Sequence, residues 1–153
     1  MIDYAFYSET YKGDVVSEPD FPKALMRAQN ILDKLTYCSI VENDGAYGQM
    51  VRGEFQEFTA KELEALKYAL CGLVDTIGNL DAAEGRALAG NNAAENVASR
   101  SSGGESISFN VAKTAYDVAL SDEKAKYRLY LDAVKAYATP TMFRINPFYA
   151  GWG

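Results

Sequence analysis

The chain has 153 residues, 48% of them hydrophobic and 24% charged, which is typical of one globular domain with a substantial core. The net charge is −6, whereas most proteins that bind nucleic-acid phosphates are basic. No apolar run approaches the roughly 18 residues needed to cross a bilayer. The absence of histidine excludes Ser-His-Asp and Cys-His nucleophile systems and the usual zinc and non-haem iron sites.

The two cysteines and the first residues bear on the cellular compartment. Cys38 and Cys71 are too few to indicate a disulfide framework, so we expect two reduced and mostly buried thiols. The opening MIDYAFYSET lacks the basic and then apolar pattern of a secretion signal. We therefore expect a protein that stays in the cytosol of the cell that makes it.

Two helical segments are predicted in the first part of the chain. Residues 2–12 are rich in aromatics that fit one helical face, and Gly13 should end this short helix. Asp20 should cap an amphipathic helix over Phe21–Leu35, with Pro22 tolerated in its first turn. Its apolar stripe predicts a helix that faces the core.

Residues 38–58 are interpreted as a linking region. They surround NDGAYG, at 43–48, which is typical of a loop with two glycines. A short strand or extended piece is indicated near Gln49–Phe55.

The most regular pattern predicts a helix over Thr59–Leu80. Its apolar residues recur every three or four positions and so form one stripe along a helix. They are Leu63, Leu66, Leu70, Leu73, Ile77 and Leu80. Thr59 and Glu62 have the spacing of a capping box. We expect this stripe to bury against the helix before it and the helix after it.

The segment that follows is small, polar and rich in glycine. Its first part can continue the helix through Arg86 or Leu88, and the stretch from about 82 to 105 is predicted to be flexible.

A β-hairpin is predicted after this segment. In residues 105–111 the apolar Ile107, Phe109 and Val111 alternate with polar residues, as in a strand with one covered face. Residues 96–101 are the candidate partner strand, with Ser102-Gly103-Gly104 as the turn. Because a lone hairpin is marginal in water, it needs the helical body or another subunit beside it.

The last predicted helix begins at Ser121 as its cap and stops just before Pro140. The tail, residues 139–153, is unusually apolar for a terminus. Its large side chains include Met142, Phe143, Ile145, Phe148, Tyr149 and Trp152. We expect the tail to pack on its own core or on a partner, and the pattern does not choose between them.

No pattern in the chain predicts chemistry. The glycine regions lack the lysine and spacing of a phosphate-binding loop. Glu62, Glu64 and Asp75 fall on the polar side of a predicted helix, where carboxylates are usually only solvated. The sequence therefore predicts no catalytic, cofactor-binding or metal-binding residue.

These elements predict a mainly α fold in a single domain over residues 1–153. It is a small bundle of three main helices plus a short N-terminal helix, with a β-hairpin between the middle and last helices. Two function classes remain: an assembly or interaction protein, and an enzyme whose site one sequence does not reveal. The missing histidine and the missing motifs favour the first.

The order of these elements resembles the head–tail connector (adaptor) proteins of tailed bacteriophages. The resemblance rests on the opening Asp3-Tyr4-Ala5-Phe6-Tyr7 with Tyr11 and Gly13, the helix over Phe21–Tyr37, the helix over Leu63–Leu80, the serine-rich Ala98–Phe109 and the closing Thr141-Met142-Phe143-Arg144. It covers nearly the whole chain.

The resemblance implies a virion protein of the phage neck, assembled in the bacterial cytoplasm and without catalysis. Such proteins form rings, commonly of twelve subunits, between the portal and a stopper or tail component, and DNA passes through the ring without sequence-specific binding. On this view two sets of residues contact partners. The first set, for packing on a neighbouring subunit or the body, is Ile107, Phe109 and Val111, and the second, for contacting the portal, is Met142, Phe143, Arg144, Phe148, Tyr149 and Trp152. The alternative is a non-viral helical adaptor or regulatory protein that binds one protein partner.

Overall fold

The computed structural model describes residues 2–36, 39–100 and 114–138, with side chains for all of these except residues 51 and 90–100. Helices dominate this part of the chain, as the sequence predicts. In chain order the elements are α1 (Phe21–Leu35), β1 (Ile40–Asn43), β2 (Ala46–Val51), β3 (Glu54–Glu57), α2 (Ala60–Arg100), α3 (Ala115–Ala119) and α4 (Glu123–Lys135). A π-helical turn at Phe6–Thr10 and a 3-10 turn at Glu18–Asp20 precede α1.

The helix α2 is the element on which the others pack. It has 41 residues, a length of about 60 Å at 1.5 Å per residue. Its predicted capping box is confirmed: the Glu62 amide donates to Thr59 Oγ1 at 3.2 Å, and the Thr59 amide donates to Glu62 Oε1 at 3.1 Å. Both α1 and α4 pack against α2, as the apolar stripe predicts.

The middle of α2 is buried on more than one face. The predicted stripe is confirmed from Leu66 onward, and Ala69, Cys71 and Val74 are buried beside it. The N-terminal segment packs on α2 as well: Tyr7, 0% exposed, belongs to the same core cluster, and its hydroxyl donates to Asp75. The α2 midsection is therefore the centre of the core.

The region 38–58 differs from the prediction. Instead of a link with one strand, it contains a three-stranded antiparallel meander in the order β1-β2-β3. Asp44-Gly45 and Arg52-Gly53 form its two turns, with φ of 52°, 83°, 55° and 84° in chain order. Positive φ at both central residues is what a type I′ turn requires, and that turn matches the twist of paired strands. The strand expected at 49–55 is interrupted by the second of these turns.

The segment after Leu80 also differs. The helix does not end at Arg86 or Leu88 but continues to Arg100. Residues 96–100 are therefore helical, and their assignment to a strand is wrong. Alanine favours the helix and recurs throughout this segment, which outweighs the cost of Gly85 and Gly90. The second predicted strand, 105–111, and the tail, 139–153, lie outside the described residues.

Two predicted helix caps differ in the structure. Asp20 precedes α1 but caps no amide, since its carboxylate instead accepts a hydrogen bond from the Ser17 hydroxyl at 2.9 Å. Asp122, not Ser121, caps α4 by accepting from the Lys124 and Ala125 amides. A charged carboxylate one residue nearer the helix satisfies two first-turn amides, which explains the preference.

The helix α2 is long enough to cross a bilayer, but it contains many polar and charged residues. Over the described ranges, no helix is both long enough and apolar enough to span a membrane.

Candidate interaction surfaces

The residues that the sequence assigns to partners are not placed by the structure. Ile107, Phe109 and Val111 lie outside the described residues, and so do the tail residues Met142, Phe143, Arg144, Phe148, Tyr149 and Trp152. Their roles remain predictions. The described residues offer six other features, which we take in turn from the core outward.

A hydrogen-bonded cluster, here called the N-terminal latch (Tyr7, Tyr11 and Asp75), joins the first segment of the chain to α2. The Tyr7 hydroxyl donates to Asp75 Oδ1 at 2.6 Å and accepts from the Val15 and Val16 amides at 3.1 Å each. The Tyr11 hydroxyl donates to Asp75 Oδ2 at 3.0 Å. One carboxylate thus fixes two tyrosines, and Tyr7 in turn fixes the backbone that leads into α1.

The latch is a structural device and not a reactive one. Burial, followed by the hydrogen bond to Asp75, raises the pKa of the Tyr7 phenol above its usual range. Burial also raises the pKa of Tyr11, with further contributions from the Tyr137 hydroxyl and the Asp75 carboxylate. Burial raises the pKa of the nearby Cys71 thiol to about 12. All three groups are therefore neutral near pH 7, and a neutral buried thiol is a poor nucleophile.

An aromatic seam continues from the latch to the surface. The Tyr68 ring lies between its neighbours, 5.7 Å from the Phe6 ring and 5.6 Å from the Tyr137 ring, with which it is stacked. Tyr11 contacts both Tyr68 and Tyr137, at 6.1 Å in each case. The seam ties three separate parts of the chain together, and Tyr137, 42% exposed, is its outer end.

A shallow groove lies between the start of α1 and α2. It has a volume of about 250 Å³ and is crossed by a two-point ion pair, Arg27 Nη1 to Asp81 Oδ2 at 2.8 Å and Nη2 to Oδ1 at 3.3 Å. Lys23 and Asp20 add one charge of each sign to its lining. The two positive and two negative charges that line the groove balance each other, so the groove favours neither an anionic nor a cationic ligand.

The meander has one face on the core and one face away from it. Ile40, Tyr47 and Phe58 belong to the inner face and pack on the core. Alternation along the strands then puts Val41, Met50 and Phe55 on the outer face.

On that outer face the backbone of β2 is covered by an aromatic ring. A Cβ on Gly48 would lie 2.7 Å from Phe55 Cζ, so the ring rests on the glycine. Met50 beside it is 39% exposed. The outer face is thus a small apolar patch.

The meander and α4 differ in the sign of their charge. Residues 40–57 carry four acidic side chains and one basic side chain, and α4 carries four basic and two acidic ones. Lys124, Arg128 and Lys135 are exposed and, at about 100° per residue, lie within about 40° of one another around the α4 axis. The chain therefore presents an acidic meander and a basic stripe on α4.

The last feature is the distal half of α2. Ala83 is buried, but Glu84–Ala89 are exposed on every face, and Leu88 is 60% exposed. One ion pair, Arg86 Nη2 to Asp117 Oδ1 at 3.3 Å, links this half to α3. The helix then continues to Arg100, about 25 Å beyond Ala83.

Within the described ranges, no group of three or more acidic or cysteine side chains is placed to hold a metal ion. Comparison of the chain with protein-family models, with curated proteins and with solved structures found no match. Functional inference therefore rests on these surfaces and on the resemblance in the order of elements.

Sequence reasoning missed the roles of Asp75 and Tyr68. The sequence predicts a solvated acid at Asp75, yet its carboxylate accepts hydrogen bonds from tyrosines 64 and 68 residues away. No local pattern reports a contact at that separation. The sequence analysis also missed the meander, although Asp44-Gly45 is itself a strong hairpin signal.

Proposed function

We propose that this chain is a structural protein of the neck of a tailed bacteriophage. In this role it forms a ring of identical subunits between the portal and a stopper or tail component, around the channel through which DNA passes. It acts by assembly and carries out no reaction.

The observation that carries the proposal is the exposed segment Glu84–Ala89 of α2. A helix that leaves its own core needs either strong intrinsic propensity or a partner, since most helical stability in proteins comes from tertiary packing. Leu88 is 60% exposed in the single chain. A neighbouring subunit in a ring supplies the missing cover without any change in the fold.

Two further features support the same role. Polar side chains join separate elements in the N-terminal latch and in the Arg27–Asp81 ion pair, which suits a rigid building block. The net charge of −6 also suits a channel wall that does not retain DNA, because an acidic wall repels phosphates.

The direct test is to purify the full chain with the portal protein encoded beside it and to measure the mass and image of the complex. We expect a closed ring of chain subunits seated on the portal. A chain that binds no portal, or a gene with no portal or capsid genes nearby, contradicts the proposal. In that case a helical adaptor that binds one partner protein becomes the better explanation.

The predicted contact residues are tested separately. Deleting residues 141–153 should abolish portal binding and leave the thermal melting of the chain unchanged. If the deletion unfolds the chain instead, the tail belongs to the core. Phe109→Ser should weaken ring formation, and its failure to change either ring formation or stability would show that the strand assignment is wrong.

A further inference from the structure

We propose that the meander of one copy docks on α4 of the next copy, with the edge strand β3 lying along the basic stripe of Lys124, Arg128 and Lys135. The proposal rests on the proposed function, since it names the surfaces through which neighbouring subunits of the ring meet. It uses residues that no sequence pattern assigned to an interface.

The two surfaces carry opposite charge. In β3 the exposed Glu54 and Glu57 flank Phe55 at the edge of the sheet. The stripe on α4 presents cations of opposite sign to these carboxylates. Complementary charge steers two surfaces together and fixes their register, and it opposes contact between two like surfaces. A meander therefore prefers α4 of another copy to another meander.

Both carboxylates lie on the edge strand of the sheet. Glu54 and Glu57 are three residues apart, about 10 Å along the strand at 3.3 Å per residue, and by alternation they lie on opposite faces of β3. Because β3 is the edge strand in the order β1-β2-β3, a helix lying along that edge meets one carboxylate from each face.

Each surface also has an apolar part. The outer face of the meander has Met50, 39% exposed, next to Phe55, and Glu57 lies on the same face. On α4, Leu131 packs partly on its own core, is partly exposed, and lies between Arg128 and Lys135 on the same side of the helix. An apolar centre with charged groups around it is the usual anatomy of a protein interface.

The geometry also predicts the symmetry of the contact. The meander and the α4 stripe are different patches of one chain, so each subunit offers one patch to each of two neighbours. Such a head-to-tail contact generates a ring where the rotation closes and a filament where it does not. A two-fold dimer would instead join identical patches.

The test is a charge swap in the full chain. The variants are E54K/E57K on the meander, K124E/K135E on α4 and the quadruple variant that combines them. Arg128 is left unchanged because it has interactions within its own chain. The matched control is E9K/E18K, which reverses two exposed acids outside both surfaces. Self-association is measured by native mass spectrometry and sedimentation velocity over a concentration series, with thermal melting as the check on folding.

Each double variant should raise the apparent dissociation constant about tenfold or more, because attractive pairs become repulsive. The quadruple variant should restore association to within about threefold of the wild type, since its charges are again complementary. E9K/E18K should associate as the wild type does. High salt should weaken the wild-type contact, because the screening length falls to about 3 Å at 1 M.

The outcomes separate this inference from the proposed function. If both double variants assemble like the wild type, or the wild type stays monomeric at every concentration, the docking is wrong, and portal binding would still support the neck role. If the swap restores association but no ring forms on the portal, the docking stands and the neck role fails. E54K/E57K decides the matter alone if K124E/K135E does not fold.

Discussion

Two parts of α2 belong to one continuous helix but have opposite surroundings. From Leu66 to Ile77 the helix is enclosed by α1, α4 and the N-terminal segment. From Glu84 to Ala89 it is exposed on every face. The first part is rich in leucine and depends on packing, and the second is rich in alanine and depends on intrinsic helix propensity. The same secondary structure thus has two physical causes, and substitutions in the two parts should differ accordingly.

The largest expected difference comes from one leucine in each part. Leu70 is 1% exposed and Leu88 is 60% exposed. Leu70→Ala should lower the free energy of unfolding by about 3–4 kcal/mol, because it removes buried contacts and leaves a cavity. Leu88→Ala should change it by less than about 0.5 kcal/mol. Urea denaturation followed by circular dichroism measures both, and equal losses would contradict the division of α2.

A second contrast separates the two tyrosines of the N-terminal latch. Tyr7→Phe removes a buried hydroxyl that serves Asp75 and the Val15 and Val16 amides, so it should cost about 2 kcal/mol. Tyr11→Phe removes one hydrogen bond to the same carboxylate and should cost about 1 kcal/mol. Thermal and urea unfolding of the two variants tests this order. A larger loss for Tyr11→Phe would mean that Tyr11, and not Tyr7, contributes most to the stability of the N-terminal latch.

The elements that the sequence predicts well are those whose cause is local. The Thr59–Glu62 capping box and the leucines of α2 lie three or four residues apart, so their spacing alone identifies the helix. Glycine disfavours a helix, so the sequence predicts an end near Arg86 or Leu88, but the alanines around Gly85 and Gly90 continue the helix to Arg100.

The features that were missed depend on distance along the chain or on turn geometry. Asp75 accepts hydrogen bonds from two tyrosines more than 60 residues away, and no periodicity in the sequence predicts a contact at that separation. The meander depends on positive φ at Asp44 and Arg52, and each of these residues is followed by a glycine. Asp-Gly was visible as a turn signal, but Arg-Gly is a weaker one, so the third strand was harder to anticipate.

A third contrast uses glycines in the two parts of α2. A Cβ on Gly78 would lie 2.7 Å from both Val15 Cγ1 and Val16 Cγ2, so Gly78→Ala must push the N-terminal segment away. We expect a loss of about 1–2 kcal/mol. Gly85 has open space around it, and Gly85→Ala should stabilise the chain by about 0.5–1 kcal/mol through helix propensity. Differential scanning calorimetry gives both signs, and a stabilising Gly78→Ala would mean that the contact with Val15 and Val16 is loose.

The smallest expected effect tests how completely the α2 midsection excludes water. Burial raises the pKa of Cys71 to about 12 from the 9.0 of an exposed thiol. Since the folded value is the higher one, the thiol's contribution to stability is full below pH 9 and falls as pH rises from 9 toward 12. In a Cys38→Ala background, where Cys71 is the remaining thiol, the thiol should lower stability by about 1 kcal/mol between pH 9 and pH 10. Adding Cys71→Ala should reduce the slope by that amount. Both slopes come from urea unfolding between pH 9 and pH 10, where tyrosines of the unfolded chain also begin to ionise in both backgrounds, so the difference between the slopes isolates the thiol. A slope unchanged by Cys71→Ala would mean that water reaches the centre of α2.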